Sequence, residues 1–237
     1  MVDFVRMSRR RWLGTAAGAC AILGGPPAFV PHARAADTPR FEFGVASGCP
    51  RPDRIVLWTR LTGADLPLQV DVSWELADDD AFTRIVARGS ESATTDWAHS
   101  VHAEPDGLAP DRWYHYRFTA LGQRSATGRT RTAPAPDAPS RLRYAIASCQ
   151  RFDHGHYAAW AHAAREAFDL IVFLGDYIYE YPSGADTLPR RHEGGPLRTL
   201  AQYRDRYAQY KSDPALQAAH AACPWLMIWD DHEVAND

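Results

Sequence analysis

From residue 37 to about residue 137, short apolar runs are separated by turn residues at regular intervals. Val70, Val72 and Trp74 alternate with Asp71 and Ser73, the period of a strand with one buried face. The pattern predicts strands over Phe41–Ser47, Ile55–Leu61, Leu68–Leu76, Arg84–Gly89, Val101–Ala103, Trp113–Ala120 and Ser125–Arg131. Turn clusters such as Asp78-Asp79-Asp80 and Pro105-Asp106-Gly107 lie between them. Closely spaced short strands of this kind build a sandwich. Gly107-Leu108-Ala109-Pro110 leads into Trp113-Tyr114-His115-Tyr116. A Leu-x-Pro turn before a Tyr-x-Tyr strand resembles the tyrosine corner of fibronectin type III domains. Pro134, Pro136 and Pro139 then mark a linker, since proline does not enter a sheet ladder.

Beyond the linker the period changes. Leu142–Ser148 reads as a strand, His156–Phe168 as a helix, and Leu170–Leu174 as a buried strand. Leu200–Ala222 is helical, interrupted at Asp213-Pro214 because proline disfavours helix in the residue before it. Pro224–Trp229 is a third apolar run. Strand, helix, strand, helix, strand predicts an α/β unit with a parallel sheet over 138–237.

Residues 1–36 read as an export address. Ser8-Arg9-Arg10-Arg11-Trp12-Leu13 precedes a weakly apolar run, and Ala33-Arg34-Ala35 supplies the small residues of a cleavage site. Paired arginines point to the twin-arginine machinery and a periplasmic or extracellular destination. Gly24-Gly25-Pro26-Pro27 breaks the run, so no stable membrane anchor is expected after signal removal. The 237 residues carry a net charge of -3, which lacks the basic excess of a nucleic-acid binder. Of the cysteines, Cys20 falls in the segment to be removed, leaving Cys49, Cys149 and Cys223 without a zinc spacing.

The candidate chemistry lies where the three α/β strands end. Cys149 follows the first. Gly175-Asp176-Tyr177-Ile178-Tyr179-Glu180 follows the second, and Asp230-Asp231-His232-Glu233 the third. Ligands in open α/β sheets gather at the carboxyl ends of strands. A single aspartate there is most often a turn or a cap. Three successive strand ends bearing donors point instead to a cation. A thiolate and a phenolate from Cys149 and Tyr179 favour a transition ion, while carboxylates from Asp176 and Asp231 suit a hard one. Two adjacent cations clamp a phosphoryl group in an in-line displacement. His232 would protonate the leaving oxygen or hydrogen-bond the phosphate.

These residues resemble the PhoD-type alkaline phosphatases and phosphodiesterases of the calcineurin-like metallophosphatase superfamily. The resemblance rests on Cys149 after Ala-Ser, on the Gly-Asp-Tyr-Ile-Tyr-Glu stretch and on Trp229-Asp-Asp-His-Glu-Val-Ala-Asn236. Phe41–Gly48 and Val56-Leu-Trp-Thr-Arg60 also look like that family's N-terminal domain. It implies an N-terminal all-β, fibronectin III-like sandwich over 37–137 and an incomplete α/β metallophosphatase domain over 138–237. It further implies a phosphate ester substrate and iron and calcium as cofactors. Cys149, Asp176 and Tyr179 match ligand positions by that resemblance, with Asn236 and Asp231 as further candidates. The chain ends just after the Asp-His-Glu motif, whereas family members continue for a long second half. The expectation is therefore an N-terminal portion that binds metal weakly and turns over little, with its last strand at an unprotected edge.

Competing readings are a purple-acid-phosphatase-like hydrolase and an exported, non-catalytic binding module. The former expects Gly-Asn-His-Glu where this chain has Asp-Asp-His-Glu. A cysteine nucleophile at Cys149 lacks any oxyanion-hole signature, and a buried, inert thiol is its plain alternative. His154, His156 and His162 read as solvated or capping. Arg190-Arg191-His192 reads as a solvated loop rather than a phosphate clamp.

Overall fold

The alternation at Val70, Val72 and Trp74 becomes a nine-residue strand with those three side chains buried. A computed structural model of the chain describes residues 40–185 and 187–237. The expected export signal and Cys20 lie outside the described residues. The strands are β1 (Val45–Gly48), β2 (Val56–Arg60), β3 (Gln69–Ala77), β4 (Ile85–Thr94), β5 (Ser100–Ala103), β6 (Trp113–Ala120), β7 (Gln123–Arg124) and β8 (Gly128–Arg131) in the first part. The second part carries β9 (Tyr144–Ala147), β10 (Leu170–Leu174) and β11 (Trp225–Ile228). Its helices are α1 (Ala158–Ala163), α2 (Leu200–Lys211) and α3 (Pro214–Ala222).

Two sheets form. One has five strands, β4-β3-β6-β7 with β8 beside β6. The other has six, in the order β5-β2-β1-β11-β10-β9. The inner faces of β1, β2 and β5 bury Val45, Leu57, Val101 and Ala103 against Val72, Leu76, Tyr116 and Phe118 of the facing sheet. That is the sandwich read from the sequence. The Tyr114 hydroxyl accepts the Ala109 N–H at 3.0 Å, the hydrogen bond a tyrosine corner makes.

The α/β part is parallel as expected: β10 pairs in parallel with both β9 and β11. Trp160 of α1 and His220 of α3 pack on Phe173 and Trp225 of this sheet. Two findings differ from expectation. The division near residue 137 separates two cores but not two sheets, because β1 and β11 meet in parallel at Gly48 and Trp225. The last strand consequently does not stand at an edge. It lies between β10 and β1, and β5 and β9 are the edge strands. Burial of Trp225 against His220 and Trp160 draws β11 inward. The other face of β9, β10 and β11 stays open, exposing Ile146, Leu174, Leu226 and Ile228.

Helices α2 and α3 begin where the sequence supplies a cap. Thr199 and Gln202 form a capping box at α2. Asp213 accepts the N–H groups of Ala215 and Leu216 at α3, and Pro214 occupies its first turn, where the missing N–H costs nothing.

Candidate metal centre

The carboxyl ends of β9 and β10 are tied together by backbone before any side chain is considered. The Cys149 N–H donates to the Gly175 carbonyl at 3.2 Å, and the Gln150 N–H to that of Asp176 at 3.2 Å. Gly175 sits at φ +84°, where a Cβ would lie 2.3 Å from the Cβ of Asp230. Only glycine lets the chain after β10 pass this close to the chain after β11. Cys149 and Asp176 themselves adopt φ values of 58° and 56°. Non-glycine residues seldom take left-handed backbone, and where they do the site is often functional.

This backbone delivers Asp176 into a buried position. Its Oδ2 accepts the Tyr179 hydroxyl at 2.9 Å. Its Oδ1 is buried and has no hydrogen-bond partner among the described residues. A buried carboxylate oxygen without a donor is costly unless something positive meets it. Asp231 and His232 bring ligand atoms to the same place: one atom from each of the three residues falls within 4.8 Å of the others. Asp231 is held below the ordinary carboxylate range. Burial acts against that, and the N–H groups of Asp237, Asp231 itself and His232, together with the His232 ring, outweigh it.

The Tyr179 phenol is pushed well above its ordinary value, first by burial, then by the Asp176 carboxylate and by Cys149 beside it. It therefore stands protonated, donating to Asp176. Cys149 is exposed, so the alternative of a buried, inert thiol does not hold. The Tyr179 ring lies 4.2 Å from that of His232, and the Arg151 guanidinium 4.5 Å from the same Tyr179 ring.

Two carboxylates that sequence reasoning passed over organise this cluster. The buried Glu233 accepts the backbone N–H groups of Asp230 at 2.8 Å, Asp176 at 3.2 Å and Tyr177. It thereby clamps the two loops that carry Asp176 and Asp231. Glu180 accepts from His232 Nδ1 and from the Asn236 N–H, each at 2.8 Å. Burial raises Glu180, but these two bonds outweigh it and hold the carboxyl below its usual value. Facing an ionised carboxylate, Nδ1 carries the proton and Nε2 is left as the free ring nitrogen. Both glutamates lie inside the motifs that drew attention. Their reach to backbone N–H groups more than fifty positions away carries no local signal.

The structure thus brings together Asp176, Asp231 and His232, with Tyr179 bonded to Asp176 and Cys149 against Tyr179. Asn236 is placed differently: its backbone joins Glu180, and its side chain donates to Asp237 at 3.0 Å. His154, His156 and His162 are exposed. All three, with Cys149 and Arg151, line a groove of about 710 Å³ beside the cluster. The loop expected to be solvated at Arg190–His192 is instead packed down. Arg190 pairs with Asp213, and His192 stacks between Phe152 and Tyr210. Burying this aromatic set against α2 outweighs hydration of the loop.

An orphaned buried carboxylate oxygen, a second carboxylate and an imidazole with one nitrogen fixed form a donor set that fits a cation. Among the described residues no second such group of acidic, histidine or cysteine side chains occurs.

Comparison with known proteins places the chain in a family. Residues 27–134 match the profile of the PhoD-like phosphatase N-terminal domain, and residues 144–237 that of the PhoD-like phosphatase. The chain is 48% identical over 208 residues to alkaline phosphatase D of Bacillus subtilis (strain 168). That alignment covers 83% of this chain and 36% of the relative. A solved structure described as that of PhoD superposes with a TM-score of 0.82 at 46% identity, covering 86% of this chain and 41% of the other. The chain thus spans well under half the length of both relatives. With one profile matching the sandwich and the other the segment that carries Asp176, Asp231 and His232, the chain belongs to the PhoD-like phosphatase family.

Proposed function

We propose that the chain carries the cation-holding part of an exported, metal-dependent phosphoric ester hydrolase, an alkaline phosphatase or phosphodiesterase of PhoD type. The observation that supports this most is Asp176 Oδ1, buried and unpartnered beside Asp231 and His232. Asp176, Asp231 and His232 would hold the ion, with Cys149 and Tyr179 as further donors. Thiol and phenol donors suit iron and the carboxylates suit calcium, the pair implied by the family resemblance. When bound, such cations polarise a phosphoryl oxygen.

The protein's own part is positional. Glu233 fixes the loops that present Asp176 and Asp231. Glu180 holds the ring proton of His232 on Nδ1, which leaves the lone pair of Nε2 for the ion. Arg151, over the rings of Tyr179 and Tyr181, adds positive charge next to the site. With one three-residue donor cluster among the described residues, the reading expects weak turnover from this chain by itself. It also retains twin-arginine export to the periplasm or beyond, from Ser8–Leu13 and Ala33–Ala35, and a fibronectin III-like sandwich, from the Tyr114–Ala109 bond.

The test is equilibrium dialysis of the purified chain against iron and calcium, with p-nitrophenyl phosphate and its bis-ester as substrates. Stoichiometric uptake that disappears in Asp176→Asn is expected. Absence of stoichiometric metal in the parent chain would sink the hydrolase reading and leave the non-catalytic binding module.

A further inference from the structure

Away from the candidate metal centre, α2 crosses the sheet of β1, β2 and β5 without filling the space beneath it. Residues 200, 204, 207, 208 and 211 of α2 share one helical face. Residues 56, 58 and 60 of β2 share one strand face. Between the two lies a cavity of about 610 Å³, a size typical of small-molecule sites. Its walls are largely apolar, with Phe43, Trp58, Trp97, Tyr207 and Trp225 among them.

The charge in this cavity is one-sided. Arg60, Arg204 and Lys211 line it, with His102 and His220, and no aspartate or glutamate is among the lining residues. Both arginines are held by backbone carbonyls: Arg60 Nε by Ala98 at 2.9 Å, and Arg204 by Asp96. Lys211 is different. It is 8% exposed, and its ammonium lies 4.6 Å from the centre of the Trp58 ring. Among the described residues it has no carboxylate or carbonyl partner. Burial alone pushes its pKa down to about 7.

His220 presents a second polar atom in want of a partner. It is 3% exposed and stacks on Trp225 at 3.9 Å. Its Nε2 meets the Tyr177 hydroxyl at 2.9 Å, and its Nδ1 is buried without a partner. Burial and the proximity of Lys211 keep the ring neutral. Nδ1 is a donor in the tautomer whose Nε2 accepts the Tyr177 hydroxyl.

We infer that this cavity binds a small amphiphilic carboxylate, its acid group held by Lys211 and His220 and its apolar body against Trp58, Trp97 and Tyr207. An apolar chamber whose charged side chains are all basic, with Lys211 lacking a carboxylate or carbonyl partner, asks for an occupant that brings the negative charge. A carboxylate supplies two oxygens, and its charge offsets the burial of the lysine ammonium. A neutral alcohol of the same length gains the apolar contact only. The site lies outside the candidate metal centre and does not depend on the hydrolase reading.

The test uses octanoate and octanol as probes in isothermal titration of the full chain. Octanoate is expected to bind one site about tenfold or more tighter than octanol. Lys211→Met, which keeps the side chain's length and apolar stem, should erase that preference while leaving octanol affinity in place. Asp176→Asn should leave octanoate binding unaltered, which separates this site from the metal centre. Equal affinities for the two probes, no saturation by either at millimolar concentration, or octanoate binding lost with Asp176→Asn would each overturn the inference. Should Lys211→Met fail to fold, the ratio of the two probes on the parent chain decides the matter by itself.

Discussion

Glu180 stands 2.8 Å from Nδ1 of His232, across 52 positions of sequence. The contact joins the loop after β10 to the loop after β11, and it selects the tautomer of the imidazole that faces Asp176 and Asp231. Replacing an outer carboxylate of this kind commonly costs about 10- to 100-fold in metal affinity. Glu180→Leu is therefore expected to weaken cation uptake by that factor while the fold persists. Titration calorimetry checks it, with circular dichroism as the control. Unchanged affinity would mean that His232 is no ligand.

Glu233 satisfies three backbone N–H groups at once, from Asp176, Tyr177 and Asp230. Glu233→Ala leaves them buried without an acceptor. A destabilisation of about 1–3 kcal/mol or more is expected, read as a lowered urea midpoint. A variant within about 0.5 kcal/mol of the parent would show that water replaces the carboxylate there.

Gly175 and Gly107 offer a matched comparison. Both have positive φ, +84° and +68°. A Cβ at Gly175 would strike Asp230, whereas one at Gly107 meets nothing within 4 Å. Gly107→Ala should cost only backbone strain, about 1–2 kcal/mol. Gly175→Ala adds a clash with the chain after β11 and should cost clearly more. Equal losses at the two positions would contradict the close passage described at the strand ends.

The pH dependence of stability has a definite sign at His192. Its ring is buried between Phe152 and Tyr210, and burial, with Arg206 nearby, pushes its pKa from 6.5 down to about 4 despite the Asp153 carboxylate. The folded protein keeps the ring neutral, so the unfolded chain takes up the proton first as pH falls. The contribution is whole above about pH 6.5 and is lost as pH drops toward 4. His192→Phe should flatten the urea midpoint across that window. A parent protein whose midpoint does not fall between those values would refute the assignment.

Much of the architecture is readable locally. The alternation around Trp74, the break at Gly175 and the Asp213-Pro214 pair each act within a few residues and place strand, turn and helix start where the structure has them. Other readings went astray where the deciding contact was distant. The Arg190–His192 loop looked solvated because its partners, Phe152, Tyr210 and Asp213, lie some twenty to forty positions away.

By itself the sequence determined the main elements, the parallel α/β strands and which polar residues stand at their ends, because period, capping and turn chemistry are near-neighbour effects. Tertiary structure alone decided that β11 lies inside a sheet shared with the sandwich, and that Glu180 and Glu233 hold the loops carrying His232 and Asp176. It also decided that Lys211 and His220 face one apolar chamber. Those outcomes follow from which surfaces exclude water against which others, a competition among residues far apart in the chain.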